Sequence, residues 1–371
     1  MALRFFSEHQ TWSAGGAITD DLWRIEIFDS SFVGEESEFI VADGARLSYR
    51  AEGDTPQAPI LSSEFSFTML IENETQEDLI IDMAAAAESR FTVVVYRDGV
   101  FYWAGVINSP DITIEDADYP YGFDIAAVDG LALLRNYEYR EEGTSPTKWD
   151  LRYTGISRIM TIIERCIKKL PHIQEHFTGA EKFMVTAVNW YAEDDPATPT
   201  ATDDPLWNKY LDNRIFGGGQ SSGNAKFDSC YDVLVKLLTP FNARIGLFDG
   251  YFLIEQFEHR AYTIGANANF SRYYDYDFTG PVANTNLVAD QLIGLGETIQ
   301  KLRGGSYSFL PPLRSARVTQ QTNGLQNLIA GAYFDNDVTT YAAGSAVGDG
   351  SSTYVRFTGN VLWTIDDVDL V

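Results

Sequence analysis

The sequence predicts a mainly β protein carrying an α+β insertion, and three observations predict it. Strand-like apolar runs recur at short intervals along the chain. Tyr and Phe number 20 and 23 among 371 residues, and aromatic residues suit a pleated, half-buried surface. Twice an Asp-Gly pair, Asp98-Gly99 and Asp249-Gly250, joins two such runs, which is the signature of a tight hairpin whose central residues need φ > 0.

Taken in order, the first twenty residues contain Gly and Ser and read as an arm or entry strand, with order beginning near Leu22. Trp23, Ile25 and Ile27 alternate with Arg24 and Glu26, and Phe65, Phe67, Met69 and Ile71 alternate with Glu64, Ser66, Thr68 and Leu70. Both are half-buried strands by period, separated by a loop at 53–59. Residues 91–139 form the densest part: Phe91 to Arg97 and Val100 to Ile107 flank the first Asp-Gly turn. Ile112 and Ile114, then Tyr121, Phe123, Ile125 and Ala127, mark two further strands, and Asp129-Gly130 turns the chain into a short helical stretch at Leu131, Leu133 and Leu134. About six strands in roughly 110 residues predict a sandwich or small barrel, the first β-domain at 1–140.

A second domain is expected at 141–270. Ile156, Ile159, Met160, Ile163, Cys166, Ile167 and Leu170 recur at three and four, with Ser157, Arg158, Thr161, Glu164, Arg165, Lys168 and Lys169 between them; this is an amphipathic helix that Pro171 ends. Residues 191–224 are polar loops around Trp207 and Tyr210. Ser229 is an N-cap for a second amphipathic helix carrying Cys230, Leu234, Leu237 and Leu238, stopped by Pro240. The second hairpin, 243–257, follows. Returning strands are expected at 271–322. From 323 to 371 short aromatic strands and Gly-rich turns start a further β module, which stops in mid-pattern and reads as the front part of a longer one.

The formal net charge of -26 repels phosphates, so general nucleic-acid binding is disfavoured. The best basic group, Arg158, Arg165, Lys168 and Lys169, reads as the solvated side of the first helix. Cys166 and Cys230 fall on apolar helix faces and read as buried thiols. No stretch of ~18 apolar residues occurs, so neither a membrane span nor a signal peptide is read, and assembly in a cytoplasm is expected.

Chemical motifs are few. His172, Glu175 and His176 fit H-x-x-E-H, in which two His one turn apart share Zn²⁺ and the Glu activates water, although Pro171 directly precedes and no third ligand is assigned. A surface turn is the plainer reading. Gly218 and Gly223 have phosphate-loop separation, but Asn224 stands where the Lys belongs. Glu193, Asp194, Asp195, Asp203 and Asp204 lack calcium-loop spacing and read as solvated loop charge. Trp103, Tyr102 and Tyr273-Tyr274 could stack on sugars; at strand spacing they read as core or subunit interface. No catalytic, cofactor or metal residue is assigned, and no cofactor is expected.

FYWAGVI at 101–107, YGFDIAAVDGLALLRN at 121–136, the helix after it, FDSCYDVLVKLL with the ARIGLFDGYFLIEQF hairpin, and GGSYSFLPPLRSARV at 304–318 together resemble the tail-tip or baseplate hub proteins of tailed bacteriophages. The resemblance covers roughly residues 20–320 and its motifs are structural. It implies tube-like β-domains, two per subunit, in a homotrimeric ring that joins the tail tube to the distal tip of a virion and lets the genome pass. Partners are then the chain itself and other tail proteins, with DNA passing without sequence-specific binding. The last segment resembles the start of a jelly-roll module, which keeps a carbohydrate-binding adhesin open beside the zinc hydrolase. An acidic channel lining, drawn from the net charge, is expected to keep the passing polyanion from sticking.

Overall fold

A computed structural model describes residues 2–10, 22–51, 58–85, 90–107, 118–143, 148–177, 182–188, 202–218, 226–257, 272–277, 279–286, 319–321 and 362–364. The expected strand at Ile112 and Ile114, the return at 304–318 and nearly all of the 323–371 module lie outside these residues. The described chain is mainly β, with one large mixed sheet and a few short helices.

Nine elements come first: β1 (Ala2–Gln10), β2 (Leu22–Asp29), β3 (Ser37–Glu38), β4 (Ile40–Ala51), β5 (Ile60–Ile71), α1 (Glu74–Ala85), β6 (Phe91–Arg97), β7 (Val100–Ile107) and β8 (Tyr121–Val128). Hydrogen bonding follows the order β3-β1-β2-β6-β7-β8-β5, with β4 on the other side of β5. Residues 37–51 carry both β3 and β4, so one segment pairs with β1 at Ser37 and Glu38 and with β5 from Ile40 onward. That closes the ring. Phe39, between the two pairings, is 1% exposed, and its N–H donates to the Phe6 carbonyl at 2.9 Å. The result is a small barrel, one of the two architectures read from the strand spacing.

Side-chain alternation fills its interior. Ile25 and Ile27 of β2, Phe65, Phe67 and Met69 of β5, Val93 and Val95 of β6, Trp103 of β7, and Phe123 and Ile125 of β8 are buried in one cluster. The Asp98-Gly99 turn has φ of 53° and 76° as expected. Helix α1, absent from the sequence reading, adds Leu79, Ile80 and Met83, each 0% exposed. Its start is marked by the Asn73 side chain accepting from the Gln76 N–H at 3.1 Å, while the Gln76 side chain accepts from the Glu72 N–H at 2.7 Å. This reciprocal arrangement satisfies N–H groups that a helix start leaves open. The barrel's first strand corrects another expectation, because order begins at Ala2: β1 pairs with β2 along its length.

The rest comprises β9 (Ile156–Arg158), α2 (Ile159–Ile167), α3 (Pro171–His176), β10 (Met184–Ala187), α4 (Pro205–Asn208), β11 (Tyr210–Asp212), β12 (Gly217–Gly218), β13 (Lys226–Phe227), α5 (Cys230–Leu238), β14 (Ala243–Phe248), β15 (Tyr251–Gln256), β16 (Arg272–Asp277), β17 (Gly280–Asn286), β18 (Thr319–Gln321) and β19 (Leu362–Thr364). Strands β17-β16-β10-β15-β14 extend the large sheet, joined to the barrel by a parallel pairing of Ile245 and Gly246 with Ile60 and Leu61. One sheet therefore passes from the first hairpin system to the second. Helices α2 and α5 bury Ile162, Ile163 and Ile167 and Val233, Leu234 and Leu237. Ser229 caps α5 as read, its hydroxyl accepting from the Asp232 N–H at 3.0 Å. Ser229→Ala is expected to cost about 1 kcal/mol in chemical denaturation.

Candidate functional site

One cluster of polar groups that burial isolates from water lies where the barrel meets the α2–α3 segment. Burial of a polar group is tolerated when its hydrogen bonds are complete. On β5, Ser63 is 2% exposed; Trp103 is 1% exposed, and Asp129, directly after β8, is 0% exposed. The Trp103 Nε1–H donates to Ser63 Oγ at 2.9 Å. Ser63 donates in turn to Asp129 Oδ2, from its N–H at 2.6 Å and its hydroxyl at 2.8 Å, and the Leu131 N–H donates to Asp129 Oδ1 at 3.0 Å. Burial pushes the Asp129 carboxyl up to about 6, against the pull of the Leu131 and Ser63 hydrogen bonds.

His172 completes this junction. It is 0% exposed and its Nε2 lies 3.1 Å from the Asp129 carbonyl oxygen. A carbonyl only accepts, so Nε2 carries the proton and donates. The same ring explains Gly130, whose φ is +85° and where an added Cβ would lie 2.8 Å from His172 Cε1. The first histidine of the H-x-x-E-H motif thus pins the chain after β8 to α3. The side chains of Glu175 and His176 lie outside the described residues. Among the described residues no three His, Cys, Asp or Glu side chains gather as metal ligands would.

The other candidates are dispersed. Asp204 is not solvated loop charge: it is 0% exposed, caps α4 through the Leu206 N–H at 2.9 Å, and accepts from Thr186 Oγ1 and the Tyr276 hydroxyl. Burial raises its pKa and, with Asp204 beside it, that of Tyr276. Glu193, Asp194 and Asp195 lie outside the described residues, as do Gly223 and Asn224, while Gly218 pairs with Lys226 in a two-strand ladder. The basic side of α2 is less solvated than its period implied. Arg158 lies over the Trp207 and Tyr210 rings, at 4.3 and 4.9 Å, Arg165 lies over Tyr153 at 4.4 Å, Lys168 is 3.8 Å from Glu164, and Lys169 pairs with Glu142 at 3.1 Å. Aromatic rings and a carboxylate from α4, β11 and neighbouring loops fold over that face, which helix periodicity alone does not register.

Trp103 is core, Tyr274 is 7% exposed, and Tyr102 meets Trp23 edge-on at 4.9 Å. Cys166 and Cys230 are both buried, free thiols, and burial, with Cys230 beside it, pushes the Cys166 thiol well up. A second polar junction, missed in the sequence, ties the barrel end: Asp29, 1% exposed, receives Arg4 at 3.0 Å, Arg90 at 2.9 Å and the Ser31 N–H at 2.8 Å. Burial pushes its carboxyl up, but the Arg90 and Ser31 hydrogen bonds and the Arg90 charge outweigh that and hold it at about 2. Asp29, Asp129 and Asp204 each serve a strand end, a cap or helix docking.

No family model matches the chain, and no curated protein matches it. Among solved structures it is similar to the crystal structure of the 43 kDa tail protein of prophage MuSo2 from Shewanella oneidensis, at 9% sequence identity and a TM-score of 0.28. The alignment covers 57% of this chain and 53% of that one.

Proposed function

We propose that the chain is a structural hub of a bacteriophage tail tip or baseplate, a homotrimer that joins the tail tube to the distal tip and acts by assembly and genome passage. The observation that supports it most is the sheet itself. One chain presents a closed barrel and, through β5 and β14, a second hairpin-based strand set, so three copies offer six comparable β units. The sequence resemblance, with its ordered strand, helix and hairpin segments, points the same way. The buried polar clusters are consumed in holding elements together.

The barrel interior is filled by Phe65, Phe67, Ile27 and their neighbours, so in this reading the channel lies between copies. An acidic lining of that channel remains part of the proposal. Among the described residues no helix is long and apolar enough to cross a membrane. The test is the native mass of the purified chain, alone and mixed with its tail-tube protein, together with images of the particles. A ring of three chain masses is the expected result; a monomer under both conditions overturns the reading.

A further inference from the structure

The barrel keeps its positive charge occupied, with two exceptions. Arg4 pairs with Asp29 and Asp82, Arg24 with Glu8 and Glu26, and Arg90 with Asp29, while Arg97 lies over the Trp23 ring at 5.6 Å. Arg46 and Arg50 are exposed, and among the described residues neither has an ion-pair or ring partner. Both lie on β4, opposite Ser66 and Ser62 of β5, with Ser48 opposite Glu64 between them. Strand β4 hydrogen-bonds to β5 alone among the described strands, so beyond the β3 closure its far edge offers unpaired backbone groups to another chain. Tyr49, 39% exposed, is stacked on Phe248 at 4.8 Å and, by strand alternation, lies on the other face of β4 from Arg46 and Arg50.

The complementary surface is on the same chain. Val33 is 97% exposed, the largest exposure of any apolar side chain in the described core and surface, and Glu35, Glu36 and Glu38 beside it are exposed with no ion-pair partner among the described residues. This loop leads directly into β4, and neither its glutamates nor the two arginines form an ion pair with another described residue of the chain, which leaves both charge groups open to a second copy.

We propose that the Val33–Glu38 loop of one copy docks on the Arg46–Arg50 edge of β4 in a second copy. The glutamates meet the two arginines, backbone groups of the loop use the open strand edge, and the contact takes Val33 out of water. The contact joins two different patches, so it is repeated around an assembly by whichever symmetry closes it. It rests on the reading of the chain as a self-assembling component and names the surface by which copies meet.

Charge exchange tests it on the full chain. Sedimentation of Arg46→Glu/Arg50→Glu and of Glu35→Arg/Glu36→Arg should each show association weakened about 30-fold or more relative to wild type. Combining all four substitutions restores the net charge of -26 and should restore association. Thermal melts report whether each exposed substitution leaves the fold intact, and Arg46→Gln/Arg50→Gln replaces the first variant if it does not. Association unchanged in both single-patch variants, or not restored in the combination, overturns this contact and leaves the hub reading standing. A wild type that stays monomeric both alone and with its tail-tube protein overturns both.

Discussion

Asp129→Ala is expected to destabilise the protein by about 3 kcal/mol or more in chemical denaturation, the larger part of it felt where the barrel meets α3. The substitution strands three donors that the carboxylate now satisfies, the Ser63 N–H and hydroxyl and the Leu131 N–H. Each buried donor left open costs about 1–3 kcal/mol. Removing a buried charge relieves some of this at pH 7, because the folded carboxyl titrates near 6 and is then ionised in a dry site. At pH 5 it is mostly protonated, less relief is gained, and the loss should be greater.

The sign of the pH dependence follows from the same group. Its folded pKa is raised above the ordinary carboxylate value, so between pH ~4 and ~6 the folded state binds more protons and stability falls as pH rises. Asp29 acts oppositely: held at about 2, it stabilises the fold above the ordinary carboxylate pKa, and that stability is lost as pH falls through ~4 towards 2. Asp129→Asn should flatten the slope between pH 4 and 6, leaving the part due to Asp204, whose pKa burial also raises, and leave the acid limb. A slope unchanged in that variant would show that Asp129 does not carry it.

The elements legible in the sequence were those whose pattern is local. Trp23, Ile25 and Ile27 declared β2 by alternation, Ser229 declared the start of α5, and two Asp-Gly pairs declared hairpins. What stayed hidden depends on distant partners. The entry strand β1 reads as an arm until β2 lies beside it, and α1 carries its apolar residues in an Ala-rich stretch whose cap, Asn73 with Gln76, was its one local signal. Asp129 and Asp204 look like any turn or loop aspartate. Their roles appear only when Ser63 and Leu131, or Thr186 and Tyr276, close around them. Arg46 and Arg50 lie on β4, which the sequence reading did not single out, and they stand apart only because every other barrel arginine is engaged.

Gly250→Ala is expected to be far more damaging than Gly99→Ala, although the two glycines hold equivalent places in matching Asp-Gly turns. Both have positive φ, +76° at Gly99 and +83° at Gly250, so an alanine is strained at either by about 1 kcal/mol. At Gly99 nothing lies within 4 Å of the added Cβ, whereas at Gly250 it would sit 2.2 Å from the Phe101 carbonyl oxygen. That oxygen belongs to β7 of the barrel and has no room to yield as a flexible side chain would. The second hairpin must then lift off the barrel, loosening the stack of Tyr49 on Phe248 at 4.8 Å and the short β5–β14 pairing with it. A total loss of about 3 kcal/mol or more is expected for Gly250→Ala, against about 1 kcal/mol for Gly99→Ala. Denaturation of the two variants side by side decides it. Equal losses would mean that the hairpin tip does not bear on the barrel, and the continuous sheet on which the two-unit reading rests would lose its anchor.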